Sequence, residues 1–277
     1  MPHEVRQFRA VIVVINWGIS RDLYEDPQWR KLSETLTCGL LHIRISNIDS
    51  SMRTRMTPSG RIVPDVPPVA QPERNAAIAG AADAFLTLLD RLAEESGHQE
   101  LKSAPMLFWG HSAAGSFGPT FAALHPARTI AFVRYHSHQR GLPLDMKVVT
   151  QIPALLFAGR NDETAGMEDT QELWKSGRSM GAPWTFVLRS DAPHFSVEAL
   201  KKANDMAIPW ITAVFRQRIA PSSAGLRPVS DSSAWIGDQQ TLEIALHGSF
   251  SGSKTDASWL PDETSARAWR VVSGAAK

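Results

Sequence analysis

The sequence predicts an α/β fold in which helices flank a mostly parallel, doubly wound sheet. Short apolar runs of strand length alternate along the chain with longer amphipathic segments of helix length, and this alternation is typical of such folds. The first run is AVIVVI at 10–15, and the last is WTFVL at 184–188. With 277 residues, 43% of them hydrophobic and 21% charged, the chain can bury a large core in one main domain.

The same pattern, together with the residues that stop helices, predicts each element in turn. Strands are expected at 10–15, 40–46, 105–109, 129–135, 152–158 and 184–188, and helices at 27–38, 74–95, 116–124 and 197–218. His125 and Pro126 end the helix that begins at Ser116, because proline cannot continue a helix. The single cysteine, Cys38, is expected to pack at the inner end of helix 27–38 and excludes an intrachain disulfide.

The segment 108–117 has the sequence of a nucleophile elbow. Ser112 follows the strand at 105–109 and precedes the helix at 116–124, and it is flanked by Gly110, Ala114 and Gly115. A sharp strand-to-helix turn strains its serine and brings neighbouring segments close, so it requires small residues. The pattern therefore predicts that the Ser112 hydroxyl is exposed at the top of the sheet. The alternative interpretation is a Gly/Ala/Ser-rich helix start without chemistry.

A carboxylate and an imidazole follow two later strands. Asp162 comes after the strand at 152–158, and His194 comes after the strand at 184–188. In doubly wound sheets the ligand crevice lies outside the carboxyl ends of the strands, so both side chains are expected near the elbow. Taken singly, Asp162 could cap a helix that begins near Thr164, and His194 could be a surface loop residue. Glu163 and Asp191 are the alternative acids.

With these motifs in this order, the stretch 10–218 resembles the α/β-hydrolase fold. Its compact spacing is similar to that of cap-poor serine esterases and dienelactone-hydrolase-like families, because too few residues separate strands 129–135 and 152–158 for a helical lid. The resemblance implies Ser112 as nucleophile, His194 as base and Asp162 as acid. Dienelactone hydrolases carry a cysteine where this chain has a serine, which favours a serine esterase that cleaves a carboxylic ester through an acyl-enzyme intermediate.

The resemblance also implies an oxyanion hole built from two backbone N–H groups. One donor is expected from Ala113, the residue after the nucleophile. The other is expected from Trp17 or Gly18, where this chain has Asn16-Trp17 in place of the usual His-Gly pair. Substrate contacts are expected from Asn16, Trp17, His111, Phe117 and Phe195, with Trp174 and Trp184 as further candidate pocket walls.

The expected reaction requires no cofactor. His136-Ser137-His138 offers two imidazoles, but no further ligand has convincing spacing, so a polar strand-end loop is the preferred interpretation and no metal is predicted. A formal net charge of +1 gives no reason to expect nucleic acid or a membrane as partner, and a small-molecule ester is the expected one. Monomer and homodimer both stay open. An acyltransferase or peptidase on the same triad, and a non-catalytic hydrolase-fold binding protein, are the alternatives.

Two regions lie outside the predicted triad scaffold. The segment 47–74 carries prolines at 58, 64, 67, 68 and 72, and is expected to lack regular structure and to border the mouth of the site. The tail 221–277 has a strand candidate at 241–246 and is expected to pack as an extension on a catalytic domain at 1–220. Localisation stays open: cytoplasmic for a full-length chain, secreted or periplasmic if a signal peptide was removed.

Overall fold

A computed structural model of the protein describes residues 7–15, 19–44, 54–56, 62–64, 71–137, 144–190, 192–219 and 225–274, with the backbone alone at 54–56, 62–64 and 71–79. The strands are β1 Ala10–Ile15, β2 Cys38–Ile43, β3 Thr54–Met56, β4 Ile62–Pro64, β5 Met106–His111, β6 Thr129–Tyr135, β7 Ala154–Gly159, β8 Trp184–Arg189, β9 Trp235–Asp238, β10 Ile244–Leu246 and β11 Ala257–Leu260. The helices are α1 Ser20–Glu25, α2 Pro27–Leu36, α3 Gln71–Ser96, α4 Phe117–Leu124, α5 Met146–Val149, α6 Glu168–Ser179, α7 Val197–Arg218 and α8 Glu263–Gly274. Of these helices, none is both long and apolar enough to cross a membrane.

A six-stranded sheet lies at the centre, with the strand order β2-β1-β5-β6-β7-β8. All neighbours in it pair in parallel. The chain starts at β1, moves to β2 on one side, and then winds through β5 to β8 on the other side. This order confirms the predicted doubly wound sheet. In such sheets ligands bind at the carboxyl ends of the strands where the strand order reverses, which here is between β1 and β5.

Both faces of the sheet are covered by helices. Helices α1, α2, α7 and α8 contribute to the core on one face, and α3 to α6 contribute to the core on the other. The strand β1 alternates between the two, with Ala10, Ile12 and Val14 in the first core and Val11, Val13 and Ile15 in the second. Burial on both faces explains why the central strands are continuous apolar runs instead of alternating ones.

The predicted elements lie close to the observed ones. The strands at 10–15 and 129–135 and the helix at 197–218 are confirmed residue for residue, and no end of the other elements shifts by more than three residues. The placement of Cys38 is wrong. Helix α2 ends two residues earlier, because Thr37 takes a left-handed conformation (φ 55°) and caps it, so Cys38 begins β2. Burial raises the pKa of the Cys38 thiol to about 12.

The expectation of no regular structure in 47–74 is also wrong. Strands β3 and β4 form an antiparallel pair inside this segment, and α3 begins at Gln71. Two of the prolines fit this structure. Pro64 lies at the end of a strand in a two-stranded sheet, where proline is tolerated, and Pro72 lies in the first turn of a helix, where its missing N–H has no intrahelical partner to lose.

The C-terminal extension packs on the free edge of β8. It contains a three-stranded antiparallel sheet in the order β10-β9-β11, followed by α8, and β10 is shorter than the predicted 241–246. Side chains of this extension bind the backbone of Phe186 in β8: Ser258 Oγ accepts its N–H at 2.9 Å, and Trp269 Nε1 donates to its carbonyl at 2.8 Å. An exposed sheet edge is thereby closed. The division into domains at 220/221 stays a prediction, and residues 220–224 lie outside the described ones.

Candidate active site

Ser112 sits in a strained turn between β5 and α4. It opens a short 3₁₀ turn, Ser112–Ser116, and its φ of 55° lies in the left-handed region that serine rarely adopts. The turn is tight: a Cβ at Gly110 would overlap the Ala114 carbonyl, and a Cβ at Gly115 would lie 2.5 Å from Ser137 Oγ. The local sequence thus folds as an elbow because both glycines leave room for neighbouring groups.

His194 and Asp162 extend from Ser112 in one hydrogen-bonded line. His194 lies on the loop after β8, and its Nε2 is 2.9 Å from Ser112 Oγ. Its Nδ1 faces the carboxylate of Asp162, at 2.9 Å from Oδ2 and 3.0 Å from Oδ1. Ser112 and His194 are each only 4% exposed. The prediction of an exposed Ser112 hydroxyl is therefore wrong, because the imidazole packs against it.

Asp162 is held ionised by the groups around it. Besides His194, its carboxylate accepts the backbone N–H groups of Thr164 at 2.9 Å and Ala165 at 2.8 Å. Burial alone would raise the pKa of this carboxyl, but the N–H donors of His136, His194 and Ala165 outweigh it and hold the pKa well below its usual range. Asp162 thus both caps the following turn and contacts the imidazole of His194. Glu163 is exposed, and Asp191 lies outside the described residues.

A second imidazole, which the sequence interpretation assigned only to a polar loop, contacts the same carboxylate. His136 follows β6 and is fully buried, and its Nδ1 lies 2.8 Å from Asp162 Oδ2. Desolvation lowers the pKa of His136 despite the adjacent carboxylate. One sequence signal pointed to His136: it directly follows the strand β6, which lies in the chain between the strands that precede Ser112 and Asp162. His138, its partner in the discarded metal interpretation, lies outside the described residues.

The ligand atoms of His136, Asp162 and His194 all lie within 4.8 Å of one another, a grouping that also suits a metal ion. In this structure the same atoms are engaged in hydrogen bonds, and His194 Nε2 faces a serine hydroxyl. A metal on His194 would have to compete with these contacts. The hydrogen bonds join a hydroxyl, an imidazole and a carboxylate in one line.

Comparison with solved structures identifies the fold. Esterase PE8 superimposes with a TM-score of 0.51 at 12% identity, over 77% of this chain and 96% of that chain. The chain has the α/β-hydrolase fold. A carboxylesterase from Mesorhizobium loti (TM-score 0.44, 18% identity, 67% of this chain and 81% of that chain) and SOBER1 from Arabidopsis thaliana (0.46, 14%, 75% and 100%) are more distant in structure. No protein-family model matches the chain, and no curated protein sequence matches it significantly.

Along the chain, the predicted oxyanion donors follow two strands that are neighbours in the sheet, β5 and β1. Ala113 follows Ser112 in the elbow and is partly buried. The strand β1 ends at Ile15, which pairs with Gly110, two residues before the serine. Residues 16–18 follow that strand end and lie outside the described residues. Asn16, Trp17 and Gly18 therefore remain predictions as oxyanion or substrate residues, and so does the donor role of Ala113.

Of the described residues predicted to contact substrate, Phe195 lies at the surface. It is 59% exposed, and its ring packs edge-on against the imidazole of His194, with centroids 4.4 Å apart. His111 is fully buried instead, and its Nε2 donates to the backbone carbonyl of His194 at 2.9 Å, so it fixes the histidine loop. The prediction that His111 contacts the substrate is therefore wrong, because its side chain has no exposed surface.

The other three aromatic candidates belong to the hydrophobic core. Phe117 is fully buried in a cluster with the rings of Phe85, Phe108 and Phe121. Trp174 and Trp184 are buried against the same face of the sheet, where the indole of Trp184 donates to the Ile152 carbonyl at 2.9 Å. Their expected role as pocket walls is wrong, since the packing of α4, α6 and β8 turns these aromatic rings inward.

Proposed function

We propose that this chain is a serine hydrolase that cleaves a carboxylic ester through an acyl-enzyme intermediate. The observation that carries the proposal is the line of hydrogen bonds from Ser112 Oγ through His194 to Asp162 at the end of a strained elbow. Esterase PE8, which shares the fold, is named for the same class of reaction. The reaction uses side chains and backbone groups of the chain and water.

The protonation pattern of the three residues suits a nucleophile, a base and an acid. The ionised Asp162 accepts hydrogen bonds, so His194 donates from Nδ1 and keeps a lone pair on Nε2. That lone pair accepts the Ser112 proton as Oγ attacks the ester carbonyl carbon. Asp162 stabilises the imidazolium that forms, and remains ionised itself.

The rest of the cycle follows from the same groups. The tetrahedral oxyanion binds the N–H of Ala113 and a second N–H from Trp17 or Gly18. The imidazolium of His194 gives its proton to the alcohol oxygen, the carbon–oxygen bond breaks, and the acyl group stays on Ser112. Water then attacks the acyl carbon while His194 takes a proton from it, and the carboxylic acid leaves as the serine regains its proton.

A fluorophosphonate probe and two chromogenic esters test this proposal. The wild type is expected to label and to hydrolyse p-nitrophenyl acetate and butyrate, and Ser112→Ala is expected to lose labelling and on the order of 10⁶-fold in kcat. Ser116→Ala, in the same 3₁₀ turn but outside the hydrogen-bonded line, is the matched control and should behave as wild type. A wild type that neither labels nor turns over would favour the non-catalytic alternative.

A further inference from the structure

We propose that His136 is a positioning residue: its neutral imidazole donates from Nδ1 to Asp162 and holds the carboxylate in the orientation that His194 needs. This inference rests on the proposed function of Ser112, His194 and Asp162. His136 itself touches neither the reacting atoms nor Ser112. Its contribution is to hold Oδ2 of Asp162 in place while His194 accepts and returns a proton.

The strand order brings His136 to Asp162. β6 lies between β5, which leads to Ser112, and β7, which leads to Asp162. His136 is the residue directly after β6, and its backbone N–H donates to the carbonyl of Phe157 in β7 at 3.1 Å. Backbone and side chain thus bind the same neighbouring strand and its loop, which fixes the ring relative to the carboxylate.

The surrounding chain is shaped for this ring. His136 has a φ of 48°, a left-handed conformation that residues with a Cβ rarely adopt and that persists only where the surrounding structure enforces it. A Cβ at Gly159 would overlap the Ala192 carbonyl oxygen and lie 2.6 Å from Cε1 of His136, so glycine at the end of β7 leaves room for both the loop after β8 and the imidazole. The next residue is clamped too: the Ser137 carbonyl accepts from Arg134 at 3.2 Å and from Thr170 Oγ1 at 2.7 Å.

The two imidazoles on Asp162 differ at their outer nitrogens. Nε2 of His194 meets the hydroxyl of Ser112, whereas Nε2 of His136 is buried and has no hydrogen-bond partner in the described part of the chain. A second proton on His136 would therefore be an N–H buried without an acceptor, which is costly. His136 stays neutral, with its single proton on Nδ1, and only His194 can gain and lose a proton during the reaction.

Loss of the His136 donor should disorder the acid without removing it. Oδ2 of Asp162 would then be held by His194 alone, and Oδ1 by two backbone N–H groups and the same imidazole. The carboxylate and imidazole could then rotate together away from Ser112. A misplacement of about 1 Å at a reacting group costs on the order of 10²-fold in rate.

Two substitutions separate positioning from packing. His136→Leu fills the volume without a donor, and His136→Asn replaces Nδ1–H by an amide N–H at nearly the same place. We expect His136→Leu to lower kcat on p-nitrophenyl acetate on the order of 10²-fold with KM unchanged, and His136→Asn to recover most of that loss. In an Asp162→Asn background His136→Leu should cost little more, because the group it positions is gone.

Melting temperatures show whether each variant is folded, and histidine NMR spectra show which nitrogen of His136 carries the proton. A His136→Leu variant that is folded and has the wild-type kcat would overturn the inference, as would a folded His136→Asn variant that loses as much kcat as His136→Leu. If both variants unfold, the ¹⁵N spectrum of the wild type decides: we expect His136 as the neutral Nδ1–H tautomer, and a proton on its Nε2 would overturn the inference. Failure of the wild type to label with fluorophosphonate, by contrast, would count against the proposed function.

Discussion

Two buried hydrogen-bond networks, one around Asp162 and one along the edge of β8, differ in whether their groups can carry charge. At the edge of β8, Phe186 has its N–H bound by Ser258 and its carbonyl bound by Trp269 and Gln239. Those partners are neutral, and together they satisfy both backbone groups of Phe186. Around Asp162 the groups are ionised or titratable, and the line ends at the Ser112 hydroxyl, 2.9 Å from Nε2 of His194.

Under the proposed function, the difference is that hydrogen bonds at the edge of β8 stabilise the fold, whereas those around Asp162 prepare a reaction. A closed network satisfies the buried backbone of an edge strand and ties the extension to the sheet. The Asp162 network holds a carboxylate with an unusually low pKa and two residues in left-handed conformations, Ser112 and His136. Strain of this kind persists where the surrounding structure enforces it, and it clusters at functional sites.

The largest expected effect comes from the acid of the Asp162 network. Asp162→Asn should lower kcat on the order of 10⁴-fold, since the amide no longer holds His194 in the required tautomer or stabilises its charge. Glu163→Gln, at the exposed neighbouring position, is the matched control and should keep the wild-type kcat. Steady-state kinetics on p-nitrophenyl acetate measure both. Loss of activity in the Glu163 variant alone would mean that the acid is misassigned.

Contacts between α6 and the C-terminal extension should affect stability and leave kcat unchanged. Arg178, in α6, donates to the carbonyls of Ala257, Lys254 and Ala182, and so joins the extension to the body. Arg178→Met should reduce the free energy of unfolding by about 3 kcal/mol, because buried carbonyls lose a charged partner. Urea unfolding measures this loss. Arg267→Met, on an exposed ion pair of α8, is the control and should stay within about 0.5 kcal/mol of wild type.

A smaller loss of stability is expected from the contact on Phe186. Ser258→Ala removes the hydroxyl that accepts the Phe186 N–H at 2.9 Å and the Gln239 side chain at 2.7 Å. Leaving the buried Phe186 N–H without an acceptor should cost about 1–2 kcal/mol in urea unfolding, with kcat of the folded enzyme intact. A large fall in kcat at full stability would show that the contacts on Phe186 are coupled to the Asp162 network, and would contradict their separate roles.

The smallest expected effect is the pH dependence of stability that comes from Asp162. The pKa of this carboxyl is lowered in the folded chain, so its contribution is fully present above the unfolded value of about 3.9 and is lost as pH falls below it. Between about pH 4 and pH 3 the wild type should lose up to about 1.4 kcal/mol per pH unit more than Asp162→Asn. Urea midpoints at several pH values measure the difference, and parallel curves for the two proteins would contradict the lowered pKa.

The sequence allowed prediction of features that depend on neighbouring residues. The elbow at Ser112 was readable because a strand, small residues and a helix adjoin, and Asp162 and His194 each follow an apolar run. Side-chain environments were not readable in this way. Phe117 belongs to a core cluster because α4 folds back on the sheet, and that direction is set by packing between distant segments.

His136 illustrates the same limit at the candidate site. Its position after β6 was known, but its contact with Asp162 depends on a left-handed turn and on the space left by Gly159. Neither is encoded by a local motif. The hairpin of β3 and β4 was missed for a related reason, since a proline at a strand end is compatible with pairing there, although it excludes pairing in a central strand.

Mapping a trapped covalent adduct tests the central claim, a nucleophilic Ser112, most directly. The wild type is treated with a fluorophosphonate, digested, and its peptides are sequenced by mass spectrometry. We expect one adduct per chain, on the hydroxyl of Ser112, and none in Ser112→Ala. An adduct on a different residue, or an unmodified Ser112 in folded protein, would contradict the account.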